Sequence, residues 1–321
     1  MPQMAALPIR EVPRRPGRLA LLLAFFIIYV VWGSTYLAIR YSVETIPPLL
    51  VVVVRQGLAG IAIFAYAWFL GYRPTGREWR ASIVLGTLYF AIGHGSLHWA
   101  QTIVPSGLAA LLIASEPIWI AIMAAVVSRE ERLTAKTVLG LLLGIAGVGL
   151  LMRAEAGPGH ARLLLGCIVI LASAVAWACG VMYSRNPALP KDPIARAGMA
   201  AMCGAAMLLV AAAFSGELSR AHPSAFSARS VWALVYLITF GSIIAFTTYT
   251  WLLDHCSPTL VSTHTYVNPI IAVLLGWLFA GERLDARILI AGLVTLLAVF
   301  LISRGTGEKA RMVSQPAEEA A

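Results

Sequence analysis

Apolar segments of about 20 residues, separated by short polar connections, occupy almost the whole of this chain. Within a bilayer, backbone polar groups must find their hydrogen bonds inside a helix or a closed barrel. Hydrophobic residues make up 60% of the sequence and charged residues 12%, against about 25% charged residues in a typical soluble domain. The sequence therefore predicts an all-α integral membrane protein that crosses the bilayer many times.

The apolar segments predict ten membrane spans, because a helix of about 20 residues crosses the hydrocarbon core. We place the spans at 19–39, 49–70, 82–103, 107–127, 135–152, 163–184, 195–214, 231–253, 259–280 and 286–303. The first span follows several arginines, as the core of a signal peptide does, but it is too long for such a core. We therefore expect this segment to be retained as a span.

Lysine and arginine residues indicate how the chain is oriented, because they favour cytoplasmic connections. They are more frequent in the segments that share a side with the N-terminus than in those on the opposite side. This bias predicts a protein of the cell (inner) membrane with a cytoplasmic N-terminal segment at 1–18 and a disordered cytoplasmic tail at 305–321. It also accounts for the net charge of +9, so lipid rather than nucleic acid is the expected partner.

An internal repeat divides the chain into two halves. Four residues recur at one constant offset: Trp99, Pro117, Glu130 and Gly140 return as Trp251, Pro269, Glu282 and Gly292. Trp32 and Arg40 are matched by Trp177 and Arg185 at a slightly smaller offset. We expect two repeats of five helices, at 19–153 and 163–304. An odd number of spans inverts the second repeat relative to the first, as in many secondary transporters.

Two prolines, each preceded by a polar residue, lie in the middle of apolar spans: Glu116-Pro117 in the fourth and Asn268-Pro269 in the ninth. Proline removes a backbone hydrogen bond and kinks or breaks a helix. An acidic residue at the centre of a bilayer costs about 2.5–3.5 kcal/mol on insertion scales. Broken helices that carry polar residues predict a binding site at the bilayer midplane.

Taken together, these motifs resemble the EamA-type members of the drug/metabolite transporter superfamily. The resemblance is carried by the two proline helices, the acidic-basic turns at 130–134 and 281–285, the glycine-rich helices that follow, and the Trp32-Gly33-Ser34 opening. It covers about residues 19–304, with one departure, Ser128-Arg129 in place of the usual glycine before Glu130. The resemblance implies ten helices in two inverted repeats, a central substrate cavity, and export of small metabolites.

Two ionisable residues lie deep within predicted spans. Glu116 could bind a substrate amine or exchange a proton, or it could be a structural acid paired with an arginine. Arg55 lies inside the second span and cannot face lipid cheaply. It could pair with Glu116 or Glu44, or bind a substrate carboxylate, and we favour a structural pair.

Further candidates for the lining of a cavity lie on helical stripes. His94 and His98 share one face of the third span, and His264 and Asn268 share one face of the ninth. Two histidines at that spacing could bind a metal, but neither an acid nor a cysteine is near them in the sequence, so we expect no metal site and no cofactor. The four cysteines are scattered without metal-binding spacing.

Aromatic residues supply the expected walls. Trp32 and Tyr36 share a face of the first span, and we expect Trp32 to face its repeat mate Trp177 across the pseudo-axis. Such walls suit an apolar or cationic substrate, whereas a position at the membrane interface is the alternative. Tyr249 and Trp251 lie nearer the end of the eighth span, and we expect them in an interfacial belt.

The sequence thus predicts a secondary transporter rather than an enzyme, moving a small metabolite, amino acid or drug-like solute by alternating access. The absence of a nucleotide-binding motif leaves an ion gradient, with protons as the candidate ion, or the substrate's own gradient as the driving force. Alternatives are an integral-membrane enzyme, which needs catalytic groups in an aqueous loop, and a non-transporting scaffold or sensor. The identity of the substrate and the oligomeric state are not predicted.

Overall fold

In the computed structural model, the structure describes residues 16–123, 135–152, 160–256, 261 and 264–284, and most positions between 286 and 301. Every regular element in these ranges is helical. We number the helical segments in chain order, and we count as one segment those helices that follow each other directly or across a two-residue turn.

The first half of the chain forms five helical segments. They are α1 (Arg18–Ser42), α2 (Pro48–Phe69), α3 (Gly76–Gly86, Thr87–His94 and Gly95–Ala100), α4 (Ser106–Ile113 and Glu116–Met123) and α5 (Ala135–Met152). The middle part of α3 is π-helical. In α4 the turn at 114–115 comes directly before Glu116-Pro117, so the helix breaks where the sequence places a proline.

The second half repeats this order. It consists of α6 (His160–Tyr183), α7 (Pro193–Phe214), α8 (Ala228–Tyr236, Leu237–Ile244 and Ala245–His255), α9 (His264–Ala280) and α10, the helical positions between 286 and 301. Two short turns of helix, Glu217–Arg220 and Pro223–Ala225, connect α7 to α8. The middle part of α8 is π-helical, as in α3, so the third helix of each half carries the same irregularity.

Five of these helices are long and apolar enough to cross a membrane, judged by length and composition within the described residues. They are Arg18–Ser42, Pro48–Phe69, His160–Tyr183, Pro193–Phe214 and Ala228–Leu252, and two shorter apolar helices are Ser106–Ile120 and Val267–Ala280. The prediction of an all-α, multi-pass membrane protein is confirmed. Ten spans in two inverted repeats stay a prediction.

The structure does not show the helix break that was expected at Pro269 in the ninth span. Pro269 lies inside α9, which continues without interruption from His264 to Ala280. The missing amide hydrogen of Pro269 removes one intrahelical hydrogen bond, and the neighbouring helices hold the segment in helical form nonetheless. Of the two predicted helix breaks, only the one at Pro117 interrupts a helix in the described part of the chain.

Two apolar clusters occupy the two ends of the bundle. We call the end where α1 connects to α2 the α1–α2 end, and the opposite end the α2–α3 end. The α1–α2 cluster includes Tyr36, Ile39, Leu97, Leu108 and Ile170. The α2–α3 cluster includes Ile28, Leu85, Phe90, Phe246 and Leu252. Each cluster draws residues from both halves of the chain, so the halves share their core.

Candidate functional site

A cavity of about 720 Å³, counting space that is open to the outside, lies among helices α1, α2, α3, α4, α6 and α9. Its lining includes Tyr36, Ile39 and Leu97 of the α1–α2 cluster. It also includes Trp32 and Trp177, which pack against the α2–α3 cluster. The cavity therefore lies between the two apolar ends, and both halves of the chain line it.

Most of the residues that the sequence nominates line this cavity. They are Trp32, Tyr36, Arg55, His94, Glu116, Trp177, His264, Asn268 and Pro269. Two nominated residues are not part of the lining. Pro117 is buried beside Glu116, and His98, with 0% exposure, contacts the cavity residue Arg55 instead of the cavity itself. The stripe of His94 and His98 is thus split, because only its first member reaches the cavity.

The aromatic walls form a continuous row of rings. The imidazole of His94 stacks on Trp177, with centroids 5.5 Å apart and planes 9° apart. Trp177 contacts its repeat mate Trp32 edge to face, at 6.5 Å and 89°. Trp32 in turn contacts the ring of His264 at 4.9 Å. This row joins a histidine of the first half to a histidine of the second half.

Tyr249 also belongs to this aromatic group. Its ring lies 4.9 Å from that of Trp32, and only 6% of the residue is exposed. The prediction of an interfacial belt position for Tyr249 is therefore wrong, because the residue faces the interior of the bundle. A spacing signal was available, since Phe246, Tyr249 and Leu252 recur at helical spacing and all three belong to the α2–α3 cluster.

Arg55 is the buried cation of the cavity, with 3% exposure. Its Nε donates to Ser242 Oγ at 2.9 Å, and its Nη1 lies 3.5 Å from Nε2 of His98. The predicted pair with Glu44 is wrong, because Glu44 forms an ion pair with Arg229 at 3.0 Å. Within the described residues no acid, Glu116 included, pairs with Arg55.

Hydrogen bonds define which ring nitrogens of the histidines carry hydrogen. His264 Nδ1 lies 2.9 Å from the carbonyl oxygen of Val261, and a carbonyl can only accept, so Nδ1 donates and Nε2 is left as an acceptor. His94 Nδ1 lies 2.9 Å from Gln56 Nε2, an amide nitrogen that can only donate. His94 therefore accepts at Nδ1 and carries its hydrogen on Nε2.

Asn268 and Glu116 present oxygen atoms. With its amide nitrogen directed at two carbonyl groups, Asn268 donates to Tyr29 O at 3.0 Å and to His264 O at 3.1 Å, so its side-chain oxygen remains available to accept. Glu116 is 7% exposed, and no hydrogen bond or ion pair to its carboxyl group is found among the described residues. The buried carboxyl group thus faces the cavity without a hydrogen-bonding partner among the residues that the structure describes.

Sequence reasoning missed several lining residues of low polarity or small size. Leu97 lies three residues after His94, so extending the histidine stripe by one turn would have found it. Ala110 and Ala114 carry no such signal, because alanine in an apolar span is as common in packing as in a cavity wall.

Comparison with known proteins gives one family. The sequence profile of the EamA-like transporter family matches the chain twice, over residues 18–153 and 164–304. A solved crystal structure with 22% sequence identity shares the fold, with a TM-score of 0.62, and the match covers 88% of this chain and 97% of that one.

Named relatives agree with the profile. The chain is 34% identical over 284 residues to the uncharacterized inner membrane transporter YedA of Escherichia coli strain K12, covering 88% of this chain and 90% of the relative. It is 28% identical over 298 residues to a probable terminal-alkyne amino-acid exporter of Streptantibioticus cattleyicolor, covering 91% of this chain and 96% of the relative.

The fold and the cavity define a polytopic helical membrane protein of the transporter class. The chain belongs to the EamA-like transporter family. The resemblance inferred from the proline helices and the Trp32-Gly33-Ser34 opening is confirmed. The names of the relatives are those of transporters and exporters rather than of enzymes.

Proposed function

We propose that this protein is a secondary transporter of the inner membrane that exports a small organic solute by alternating access. In this proposal ten spans form two inverted repeats of five helices, and both termini are cytoplasmic. The observation that carries the proposal is a cavity between two apolar ends, lined by helices of both halves, whose mostly apolar wall carries an arginine, an acid, two histidines and an asparagine. Exporter names among the relatives support the outward direction.

The cavity is the proposed substrate site. Trp32 and Trp177 supply its aromatic walls, and Arg55, His94, Glu116, His264 and Asn268 supply its polar contacts. Alternating access requires the apolar cluster at one end to separate while the cluster at the other end stays closed. Because each cluster is built from both halves of the chain, a rocking motion of one half against the other opens one cluster and compresses the other.

An ion gradient is the proposed source of energy, with protons as the candidate ion and Glu116 as the residue that exchanges them. The support is the position of Glu116, a buried carboxyl group that faces the cavity and has no described protein partner. Intramembrane acids that face a cavity commonly serve as proton relays or ion sites. Collapse of the pH gradient should then slow export, and Glu116→Gln should make the remaining flux insensitive to that collapse.

Flux through the purified protein in lipid vesicles tests the proposal. Vesicles would be loaded with a panel of amino acids, amines, organic acids, sugars and nucleosides, and efflux would be followed with and without a pH gradient and a membrane potential. Trp177→Ala should reduce flux of the transported solute by about tenfold or more, through loss of an aromatic wall. The matched control is Trp232→Ala, since Trp232 is 71% exposed on the surface of the bundle.

The outcomes separate the classes of function. Flux of one solute class that Trp177→Ala reduces and Trp232→Ala leaves unchanged would establish the cavity as the transport site. Equal flux in the two variants would contradict that assignment. Absence of flux for every class in vesicles of either orientation, with the protein correctly folded, would contradict transport and favour a scaffold or sensor.

A further inference from the structure

We infer that the cavity recognises a solute by a carboxylate group, which binds at Arg55 and His94, while a hydrogen-bond donor of the same solute binds at Glu116, His264 and Asn268. The inference rests on the proposed function, because it assigns the substrate class and its orientation in the proposed site. It follows from the way in which donors and acceptors are distributed around the cavity.

Arg55 supplies the positive charge at the donor side. A guanidinium group carries five N–H donors and remains protonated in proteins. Ser242 and His98 take one donor each, and within the described part of the chain no carboxylate balances the charge. A buried, unpaired cation is costly unless an anion completes its surroundings, and the planar fork of arginine matches a carboxylate.

His98 orients the guanidinium group of Arg55. Its Nδ1 lies 2.8 Å from the carbonyl oxygen of His94, so Nδ1 donates and Nε2 is free to accept from Arg55. Ser242 holds Nε from the side of α8. The two contacts orient Arg55 and leave the remaining N–H groups for a ligand, which makes His98 a positioning residue.

His94 adds a second donor on the same side. Its hydrogen is on Nε2, because Gln56 donates to Nδ1. His94 belongs to α3 and Arg55 to α2, both in the first half of the chain. An uncharged donor beside a guanidinium group is suited to the second oxygen of a carboxylate.

Free acceptors belong to helices other than those of Arg55 and His94. The free positions are Nε2 of His264, the side-chain oxygen of Asn268 and the carboxyl group of Glu116. They belong to α4 and α9, and neither α2 nor α3 contributes to this set. A ligand group that binds these acceptors must therefore donate hydrogen bonds, as an ammonium, amide or hydroxyl group does.

The row of rings connects a donor residue to an acceptor residue. His94 stacks on Trp177, Trp177 contacts Trp32, and Trp32 contacts His264. The donor His94 and the acceptor His264 thus lie at opposite ends of this row. A solute that satisfies both ends carries its carboxylate and its donor group at different positions on an apolar body that packs against the two tryptophans.

Matched solutes that differ in one group test the inference. The probes are leucine, leucinamide, which lacks the carboxylate, 4-methylpentanoate, which lacks the ammonium group, and isoamylamine, which lacks the carboxylate and keeps the ammonium group. Acid and amide pairs of smaller and larger bodies accompany them, together with neutral sugars. Efflux from vesicles and substrate-induced thermal shifts are measured for the unmodified protein, for Arg55→Gln and for Arg55→Lys.

We expect transport to favour acids over the matching amides by about tenfold or more, the size of one charge-assisted hydrogen bond. Arg55→Gln should abolish this preference, and Arg55→Lys should restore part of it. Arg229→Gln is the matched control, because the Arg229 side chain is 62% exposed and pairs with Glu44 away from the cavity, and it should leave the preference unchanged. Glu116→Gln should reduce the transport of leucine relative to that of 4-methylpentanoate, and it should leave the preference for acids over amides unchanged.

The result that overturns the inference is transport of amides, amines or sugars with no preference for acids, in which case transport itself stands. Preference for acids that persists in Arg55→Gln also overturns the role of Arg55. If Arg55→Gln does not fold, the same comparison is made with His94→Phe, which should reduce the preference for acids. Absence of flux for every probe, acid or not, counts against both the inference and the proposed function.

Discussion

Among the described residues, caps that join one half of the chain to the other are found at the α1–α2 end of the bundle, beside the local cap that Ser227 provides for α8. At the α1–α2 end, two helices of the first half are capped by carboxylates from the second half. Glu217 accepts from Leu49 N at 2.9 Å at the start of α2, and Glu282 accepts from Ser106 N at 2.7 Å and Gly107 N at 3.0 Å at the start of α4. The α1–α2 end is therefore tied together by charge-assisted hydrogen bonds between the halves.

At the α2–α3 end the described caps are local. α3 is capped by its own Thr75, which forms a reciprocal capping box with Glu78, and α7 is capped by its own Asp192. Contact between the halves at this end includes close packing of small residues, such as Gly86 of α3 against Ala200 and Gly204 of α7. Separating the two halves therefore breaks hydrogen-bonded caps at the α1–α2 end and packing contacts at the α2–α3 end.

The largest expected effect concerns the packed end. A methyl group at Gly86 would collide with the carbonyl oxygen of Ala200 and lie 2.7 Å from Gly204 N, both of which are backbone atoms that cannot move aside. We expect Gly86→Ala to lower the free energy of unfolding by about 3 kcal/mol through overpacking. Thermal unfolding in detergent measures it.

The control for this change is Gly57→Ala, where the nearest atom to the added methyl group is Ala205 Cβ at 3.8 Å. This substitution should be neutral or slightly stabilising, because alanine favours a helix by up to about 1 kcal/mol over glycine. An effect of Gly86→Ala as small as that of Gly57→Ala would contradict the close contact of α3 and α7 and with it the packed character of the α2–α3 end.

A smaller effect is expected from the carboxylate that caps α4. Glu282→Ala removes the acceptor for Ser106 N, Ser106 Oγ and Gly107 N together. Because water reaches a helix end at the membrane surface and replaces part of this contact, we expect a loss of about 2 kcal/mol. The unfolding transition in detergent gives the value.

Glu282→Ala also tests whether Glu282 stabilises the α1–α2 end in particular. Cys167 is 1% exposed and belongs to the α1–α2 cluster, whereas Cys203 is buried in α7. Loosening of the α1–α2 end should raise the rate of alkylation of Cys167 by a membrane-permeant thiol reagent and leave that of Cys203 unchanged. Equal acceleration at both cysteines would indicate general unfolding and contradict a local tie.

A change of about 1 kcal/mol is expected from the local cap of α3. Thr75→Ala removes the acceptor of Glu78 N and one donor to Glu78, which is the usual cost of losing an N-cap. Chemical or thermal unfolding at neutral pH measures it. Asp192→Ala at the start of α7 should have a similar effect, because Asp192 accepts from Ala195 N at 2.7 Å.

Acid should reproduce part of this loss. Partial burial raises the pKa of Glu78, but hydrogen bonds from Tyr72 and Thr75 outweigh it, so the pKa lies below its ordinary value of 4.5. The stabilisation is therefore complete above pH 4.5 and disappears as the pH falls through the lowered native pKa. In Thr75→Ala this pH dependence should be smaller, and an unchanged dependence would contradict the capping box.

The class of the protein and most of the nominated cavity-lining residues could be predicted from the sequence. Apolar runs define membrane helices with little ambiguity, and a polar residue beside a proline in the middle of such a run has few structural roles. Glu116 and Asn268 were found in this way, Trp32 and Trp177 were found as aromatic repeat mates, and all four line the cavity. The family profile agrees with the repeat that the recurring residues indicate.

Ion pairs and hydrogen bonds between residues far apart in the sequence could not be predicted from it. The sequence offered Glu44 as one of two acids that could pair with Arg55, yet Glu44 binds Arg229. Glu282 was seen only as part of an acidic-basic turn, and its role as the cap of α4 depends on how the connections meet in space. Such contacts depend on distances across the fold, and a single sequence does not encode them locally.

The exposed ion pair between Arg229 and Glu44 should matter least, although it also joins the α1–α2 connection to the start of α8 at the α1–α2 end. Its N–O distance is 3.0 Å, but the side chains are 62% and 33% exposed, so water and salt screen the attraction. We expect Glu44→Ala to change the free energy of unfolding by at most about 0.5 kcal/mol, measured beside Glu282→Ala in low and high salt. If Glu44→Ala were as costly as Glu282→Ala, the tie at this end would depend on charge at the surface rather than on the capped start of α4, and the contrast between the two ends would need to be redrawn around that pair.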